Sequence, residues 1–272
     1  MTVPTLAVTA PIGPSGAPVL LLGPSLGTST ILWEDVEPAL REHWRVAAWD
    51  LPGHGASPAA AAPFSVAELA DGVADVVARL GAGSVLYAGV SLGGAVGLEL
   101  ALRHPHLVES LAILASGAKI GTPEGWRDRA AQVRSQSTSA LIVGSAQRWF
   151  APASMTARPV LTGRLLHALQ DADDTSYAYC CDALAAYDVR SRLPEIGMPV
   201  LAAWGEYDEV TPEASAREIA EGVQDGRAEP LADASHLAPA EQPEQVSRLL
   251  VEFFAETRSA SSGRGRASSS RP

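Results

Sequence analysis

Cysteine is nearly missing from this 272-residue chain: there are two, Cys180 and Cys181, and they are neighbours. A bridge between adjacent cysteines needs a strained ring, so no disulfide framework is expected, nor the oxidising compartment that one would signal. Lysine is scarcer still, with Lys119 the only one. No apolar run approaches the roughly 18 residues of a membrane span. The N-terminal MTVPTLAVTAPIGPSG has no basic region and is broken by Pro4, Pro11 and Pro14, so it does not read as a signal peptide. The expected compartment is the cytoplasm. Neither H-x-x-x-H nor C-x-x-C occurs and the six histidines are scattered, so no metal is expected. No G-x-G-x-x-G or G-x-x-x-x-G-K-[ST] opens a helix, so no nucleotide or other cofactor is implied. The formal charge of −11 repels phosphate backbones and anionic membranes, which argues against either as the main partner.

What is present is a globular balance: 47% hydrophobic residues, 19% charged, and a mean hydropathy of +0.08. A chain of this length can bury roughly three quarters of its unfolded surface. Apolar runs of strand length recur at Pro18–Gly23, Arg45–Asp50, Ser84–Val90, Val108–Ser116 and Pro199–Asp208. Their near-continuous apolarity is what a parallel sheet covered on both faces requires. Helical patterns lie between them. Ser65 with Glu68 forms a capping box ahead of VAELADGVADVVARL, and Thr211 with Pro212 reads as N-cap and N1 of TPEASAREIAEGV. A last helix over about Glu241–Glu256 carries an apolar face of Val246, Leu249, Leu250, Phe253 and Phe254. This alternation predicts an α/β fold with a mostly parallel, doubly wound sheet. From about Ala118 to Arg192 no strand pattern appears, which predicts an inserted helical cap. The expected organisation is therefore a core over 1–117 and 193–257, a cap over 118–192, and a tail over 258–272. That tail, RSASSGRGRASSSRP, has nothing to bury and is expected to be disordered. Its four arginines could dock an acidic partner.

Chemistry enters at Gly89-Val90-Ser91-Leu92-Gly93, a G-x-S-x-G between a predicted strand and the helix Leu92–Arg103. A tight strand-to-helix turn of this kind pushes the serine out at the carboxyl end of the sheet. The Leu92 amide and the helix N-terminus then face any oxyanion formed there. Serine needs a base. His104 and His106 flank Pro105 in a surface turn, His43 ends a helix, His167 lies in the cap, and His54 braces the turn Asp50–Gly55. His236, in a loop before the final helix, falls on the same sheet edge as Ser91. The imidazole needs an acid to fix its tautomer. Asp208 ends a predicted strand 28 residues earlier, while Glu206 and Glu209 alternate away from it. The order Ser91…Asp208…His236 reads as a catalytic triad. The loop Gly23–Gly27, directly after the first strand, places the Leu26 amide as the second oxyanion donor.

These motifs resemble the α/β-hydrolase superfamily, through DLPGHGAS (50–57), GVSLGG (89–94), GEYDEVTP (205–212) and ASHLAP (234–239). Within it the chain resembles the 3-oxoadipate enol-lactonases over about Pro18 to Glu256. The features that carry this are Ser25-Leu26-Gly27-Thr28 with Trp33, Lys119–Glu124 with Trp126 and Arg129, and Arg148-Trp149-Phe150. The resemblance implies a small anionic lactone as substrate, opened through a seryl ester in aromatic catabolism. Trp126, Arg129, Arg148 and Trp149 are then expected to line the substrate pocket. The free carboxylate calls for an arginine fork, supplied by Arg129 or Arg148. Some relatives carry a fused carboxymuconolactone decarboxylase domain; this chain is expected to have no such activity, and a separate decarboxylase is a possible partner. The oligomeric state is left open. Rival readings are a carboxylesterase, a perhydrolase-like enzyme, a carbon–carbon bond hydrolase, or a non-catalytic ligand receptor on the same scaffold.

Overall fold

The structure, a computed structural model, describes residues 3–268. Six strands form one sheet: β1 (Val19–Gly23), β2 (Arg45–Ala48), β3 (Val85–Val90), β4 (Val108–Leu114), β5 (Val200–Gly205) and β6 (Gly226–Leu231). Their spatial order is β2-β1-β3-β4-β5-β6 and every pairing is parallel. The five predicted runs supply β1 to β5, each trimmed by one to four residues. β1, β3 and β5 are buried along their whole length, as two covered faces demand. β6 went unread because its sequence, GRAEPL, is half-exposed and charged. It lies on the sheet edge, where a proline is tolerated.

The helices are α1 (Glu37–Leu40), α2 (Val66–Arg79), α3 (Leu92–Arg103), then α4 to α8 between β4 and β5, and finally α9 (Glu213–Gly222), α10 (Ala238–Glu241) and α11 (Pro243–Ser268). The Ser65–Glu68 capping box forms in both directions, with Glu68 N–H donating to Ser65 Oγ at 3.1 Å and Ser65 N–H to Glu68 Oε2 at 2.9 Å. Two helix boundaries differ from expectation. Pro212, not Thr211, precedes α9 as its N-cap, because the Thr211 hydroxyl donates to Asp208. The last helix is interrupted at Gln242, and Pro243 opens α11 from the position where proline costs least. Val246, Leu250, Phe253 and Phe254 are buried, as their spacing predicts.

The stretch expected to be disordered from Arg258 is helical as far as Ser268, and residues 269–272 lie outside the described residues. Continuing an anchored helix needs no new nucleus, and Arg258 is held by Glu109 while Thr257 donates to Ser110 at 3.2 Å. The cap comprises α4 (Pro123–Gln136), α5 (Ile142–Trp149), α6 (Ser154–Ala157), α7 (Pro159–Asp171) and α8 (Asp174–Ala186). Cys180 and Cys181 are buried free thiols on α8. No helix among the described residues is long and apolar enough to cross a membrane.

β1 pairs with β2 on one side and β3 on the other, so the strand order reverses there. In open parallel sheets ligands bind beyond the carboxyl ends of the strands at such a switch point. The register sets Gly23 opposite Gly89, which brings the loops that follow β1 and β3 side by side.

Candidate active site

Ser91 follows β3 with φ 54° and ψ −117°, a conformation that costs a non-glycine residue of order 1–3 kcal/mol. The surroundings hold it there. Its N–H donates to the Leu114 carbonyl at 3.0 Å, and its own carbonyl accepts from Ser116 Oγ at 2.7 Å. Glycine is required at 89 because a Cβ would stand 2.4 Å from the Gly93 carbonyl oxygen. The elbow thus stays tight.

Asp208 and His236 arrive from the loops after β5 and β6. His236 Nδ1 lies 2.9 Å from Asp208 Oδ2, and both residues are almost fully buried. The same carboxylate accepts the Thr211 hydroxyl at 2.8 Å and the Val210 and Thr211 amides at 2.8 and 3.1 Å. Burial alone would raise the Asp208 carboxyl. The His236 charge and hydrogen bond, with those from Thr211, outweigh it and hold the group below the ordinary carboxylate value. Since an ionised carboxylate can only accept, Nδ1 carries the proton and Nε2 faces away from Asp208.

The turn after β1 carries the expected oxyanion donor. Thr28 N–H closes it onto the Ser25 carbonyl at 3.0 Å, with Gly27 at φ +83° in the third position, as in a type II turn. Ser25, Leu26, Ser91 and His236 line one small cavity together with Trp126, Arg129, Arg148, Trp149, Tyr177 and Val210. Every residue expected to contact substrate therefore meets Ser91 in one place. At about 40 Å³ the cavity has room for little more than water as the side chains stand. Trp126, Arg129 and Arg148 also line an outer pocket of about 360 Å³, so they form the wall between inside and outside. A larger groove of about 610 Å³ runs past Asp208 and Tyr207 but has neither Ser91 nor His236 in its lining.

Arg129 donates from Nε to the Tyr177 hydroxyl at 2.9 Å and from a terminal nitrogen to Ser145 Oγ at 3.2 Å. Partial loss of water around Arg148, and then the Arg129 charge, hold its guanidinium below the ordinary value. Among the described residues neither arginine is paired with a carboxylate. By contrast Arg41, Arg103, Arg134, Arg158, Arg164, Arg190, Arg192, Arg217, Arg227 and Arg258 all are.

The alpha/beta hydrolase fold profile matches residues 18–243. The chain belongs to that family. This hydrolase is 32% identical over 241 residues to 3-oxoadipate enol-lactonase 2 of Acinetobacter baylyi, covering 89% of this chain and 90% of that one. It is 30% identical over 234 residues to a pimeloyl-[acyl-carrier protein] methyl ester esterase of Neisseria meningitidis, covering 84% and 89%. The crystal structure of the enol-lactonase from Burkholderia xenovorans LB400 superposes with a TM-score of 0.88 at 32% identity, covering 92% of this chain and 96% of that one.

Several residues of the hydrolase's site were not anticipated. Thr211 read as a helix cap yet donates to Asp208. Tyr177, in the stretch expected to form the cap, was given no role, yet its buried hydroxyl accepts from Arg129 at the cavity wall. Its phenol is pushed up by burial. Glu241 read as a helix-end acid, yet it is buried and accepts from Ala151 N–H at 2.6 Å, Ser154 Oγ at 2.7 Å and Ser235 N–H at 2.8 Å. It ties the cap to the residue before His236. The one local signal for this is Pro239 and Pro243, which bracket the acid and break the helix around it.

Proposed function

We propose that this hydrolase opens a small lactone bearing a free carboxylate, with 3-oxoadipate enol-lactone as the best fit, to give 3-oxoadipate. The observation that carries the reading is the pair Arg129 and Arg148, two guanidiniums without a carboxylate partner, on the wall of the cavity that holds Ser91 and His236. The two like charges repel each other, and an anion placed between them relieves that repulsion. The similarity to enol-lactonases supports the same substrate.

In this reading His236 Nε2 takes the Ser91 proton as Oγ attacks the lactone carbonyl, and Asp208 stabilises the imidazolium. The Leu26 and Leu92 amides hold the tetrahedral oxyanion. The ring C–O bond then breaks and expels an enolate, a better leaving group than an alkoxide, which takes the proton from His236 and becomes the ketone. Water, deprotonated by His236, hydrolyses the seryl ester, freeing 3-oxoadipate and restoring Ser91. Trp126 and Trp149 wall the ring while the arginines hold its carboxylate. A separate carboxymuconolactone decarboxylase would supply the lactone within a cytoplasmic β-ketoadipate pathway.

The test is loss of enol-lactone absorbance with wild type and Ser91→Ala, run beside p-nitrophenyl acetate and a ring-fission dienoate. Turnover of the lactone that disappears in Ser91→Ala supports the reading. Preference for the simple ester or the dienoate replaces it with a carboxylesterase or a carbon–carbon bond hydrolase.

A further inference from the structure

His54 is fully buried, near the cavity yet outside its lining, and the mechanism above makes no use of it. Both of its ring nitrogens are engaged. Nδ1 is 2.9 Å from the Pro52 carbonyl, which can only accept, so Nδ1 carries the proton. Nε2 is then a free lone pair, and it accepts the Gly27 N–H at 3.2 Å from a loop 27 residues away. Its backbone is pinned too, by His54 N–H to the Leu51 carbonyl at 3.0 Å and Ser57 N–H to the His54 carbonyl at 2.9 Å. The sequence suggested that this histidine braces its own turn. Its ring reaches across to a different one.

We propose that His54 is a positioning residue for oxyanion stabilisation: by accepting the Gly27 N–H it anchors the peptide that follows Leu26, and so holds in place the Ser25–Thr28 turn whose Leu26 amide faces the carbonyl that Ser91 attacks. The inference rests on the hydrolase reading above. Glycine at the third position accepts either sign of φ, so the Leu26–Gly27 peptide has little intrinsic preference between its two flipped orientations. What selects one is the partner of its N–H. Gly27 is buried, so no bulk water can replace that partner. Space adds to the constraint, since a Cβ at Gly27 would lie 2.7 Å from Leu169 Cδ1.

The other face of the imidazole stacks on Tyr177, with centroids 5.9 Å apart and planes 25° apart. Tyr177 in turn accepts from Arg129. One buried ring therefore touches both the turn proposed to stabilise the oxyanion and the phenol that orients the carboxylate-binding arginine. Burial pushes the imidazole down to about 4, against the opposing Pro52 hydrogen bond and Asp173 charge, so it remains an acceptor at neutral pH.

The test compares wild type, His54→Phe and His54→Gln on p-nitrophenyl acetate and on enol-lactone, with thermal unfolding as the check on folding. Phenylalanine keeps the stacking and removes the acceptor; glutamine restores an acceptor of similar reach. Deleting an oxyanion donor outright lowers kcat by about 10²–10³. Misaiming one should cost less, so His54→Phe is expected to lose about ten- to hundredfold in kcat with KM within about twofold. His54→Gln should recover to within about fivefold of wild type. The imidazole ¹⁵N spectrum of the wild type, which depends on no variant folding, should show His54 protonated at Nδ1 and bare at Nε2. Unchanged kcat in His54→Phe, a loss confined to KM, no rescue by glutamine, or a proton on Nε2 would each overturn the inference. If the wild type hydrolyses p-nitrophenyl acetate but not the lactone, the substrate reading fails and the His54 comparison still decides on the ester. A wild type inert to both removes the hydrolase mechanism and this inference with it.

Discussion

Arg129→Ala separates charge recognition from catalysis. Arg129 is half-buried on α4, and its guanidinium lines the cavity shared with Ser91. A guanidinium about 4 Å from a carboxylate gains about 4 kcal/mol at an effective dielectric near 20. After desolvation, a hydrogen bond to a charged group nets about 1.5–3 kcal/mol. Arg148 stays in place to hold the anion, so the lower half applies, and about 2 kcal/mol is roughly thirtyfold in affinity. The carboxylate carries the same charge before and during ring opening, so the loss should fall on KM and leave kcat nearly unchanged. Truncation also strips a donor from Tyr177 and Ser145, which could disturb the pocket for any substrate. The control is therefore the methyl ester of the same lactone, identical in shape but neutral. We expect KM for the anionic lactone to rise about thirtyfold and KM for the methyl ester to change by less than about threefold. Added salt should weaken wild-type kcat/KM on the anion and spare it on the ester. Equal losses on both substrates, or a loss in kcat alone, would refute the role given to Arg129.

Asp208→Asn should keep the hydrogen-bonded geometry but favour the wrong imidazole tautomer, lowering kcat on the order of 10⁴-fold on any ester; a loss under about tenfold in stopped-flow or steady-state assays would remove Asp208 from the mechanism. His54 resists protonation near pH 4 when folded, against 6.5 for the ordinary imidazole. Between those values the unfolded chain binds a proton that the folded one refuses, so this contribution is fully present above about pH 6.5 and about 3 kcal/mol is lost as pH falls toward 4. Urea unfolding across that range should show a shallower pH dependence in His54→Gln than in wild type, and parallel curves would contradict it. Glu241→Gln puts an NH₂ against a shell made of donors. It should cost about 2 kcal/mol, or about 4–8 °C in Tm, with kcat falling because Ser235 adjoins His236; an unchanged melt would mean that the shell rearranges freely.

Legibility in the sequence followed a physical divide. β1 to β5 are apolar on both faces, so composition alone marks them. β6 packs only at an edge and looks like surface. The serine elbow was readable because its geometry is local, a strand running into a helix through small residues. Asp208 and His236 could be chosen because each ends or follows a strand on the same rim. What could not be read was which partner each remaining polar side chain takes. Thr211 has the right sequence for a helix cap, but a carboxylate three residues back competes for its hydroxyl and wins. Tyr177 and Glu241 show no periodicity that separates them from core and surface residues, since their partners lie 48 and about 90 residues away. The segment after Arg258 has nothing to bury, yet a preceding anchored turn suffices to carry a helix on to Ser268.

The same long-range contacts show how the cap and the proposed base are joined. Leu237 N–H donates to the Trp149 carbonyl at 3.1 Å, and Ser235 Oγ lies 3.2 Å from both the Arg148 and Tyr207 carbonyls. The two residues flanking His236 are thus bonded to the backbone of two of the cap residues that line its cavity, Arg148 and Trp149, and Glu241 adds Ala151 and Ser154 to the same cluster. The Arg148–Ala151 backbone cannot swing outward without pulling the histidine loop away from Asp208. Among the described residues, Trp126 and Arg129 on the opposite wall have no such backbone bond to the core. Trp126 is held by its Nε1–H to the Ile120 carbonyl, on the chain segment that leads into its own helix, and Arg129 is held through side chains alone. The cavity is too small for a six-carbon lactone as it stands, so its wall must yield somewhere. Trp126 and Arg129 line both the cavity and the outer pocket, so a shift of these two side chains would join the two while leaving the Asp208–His236 pair undisturbed.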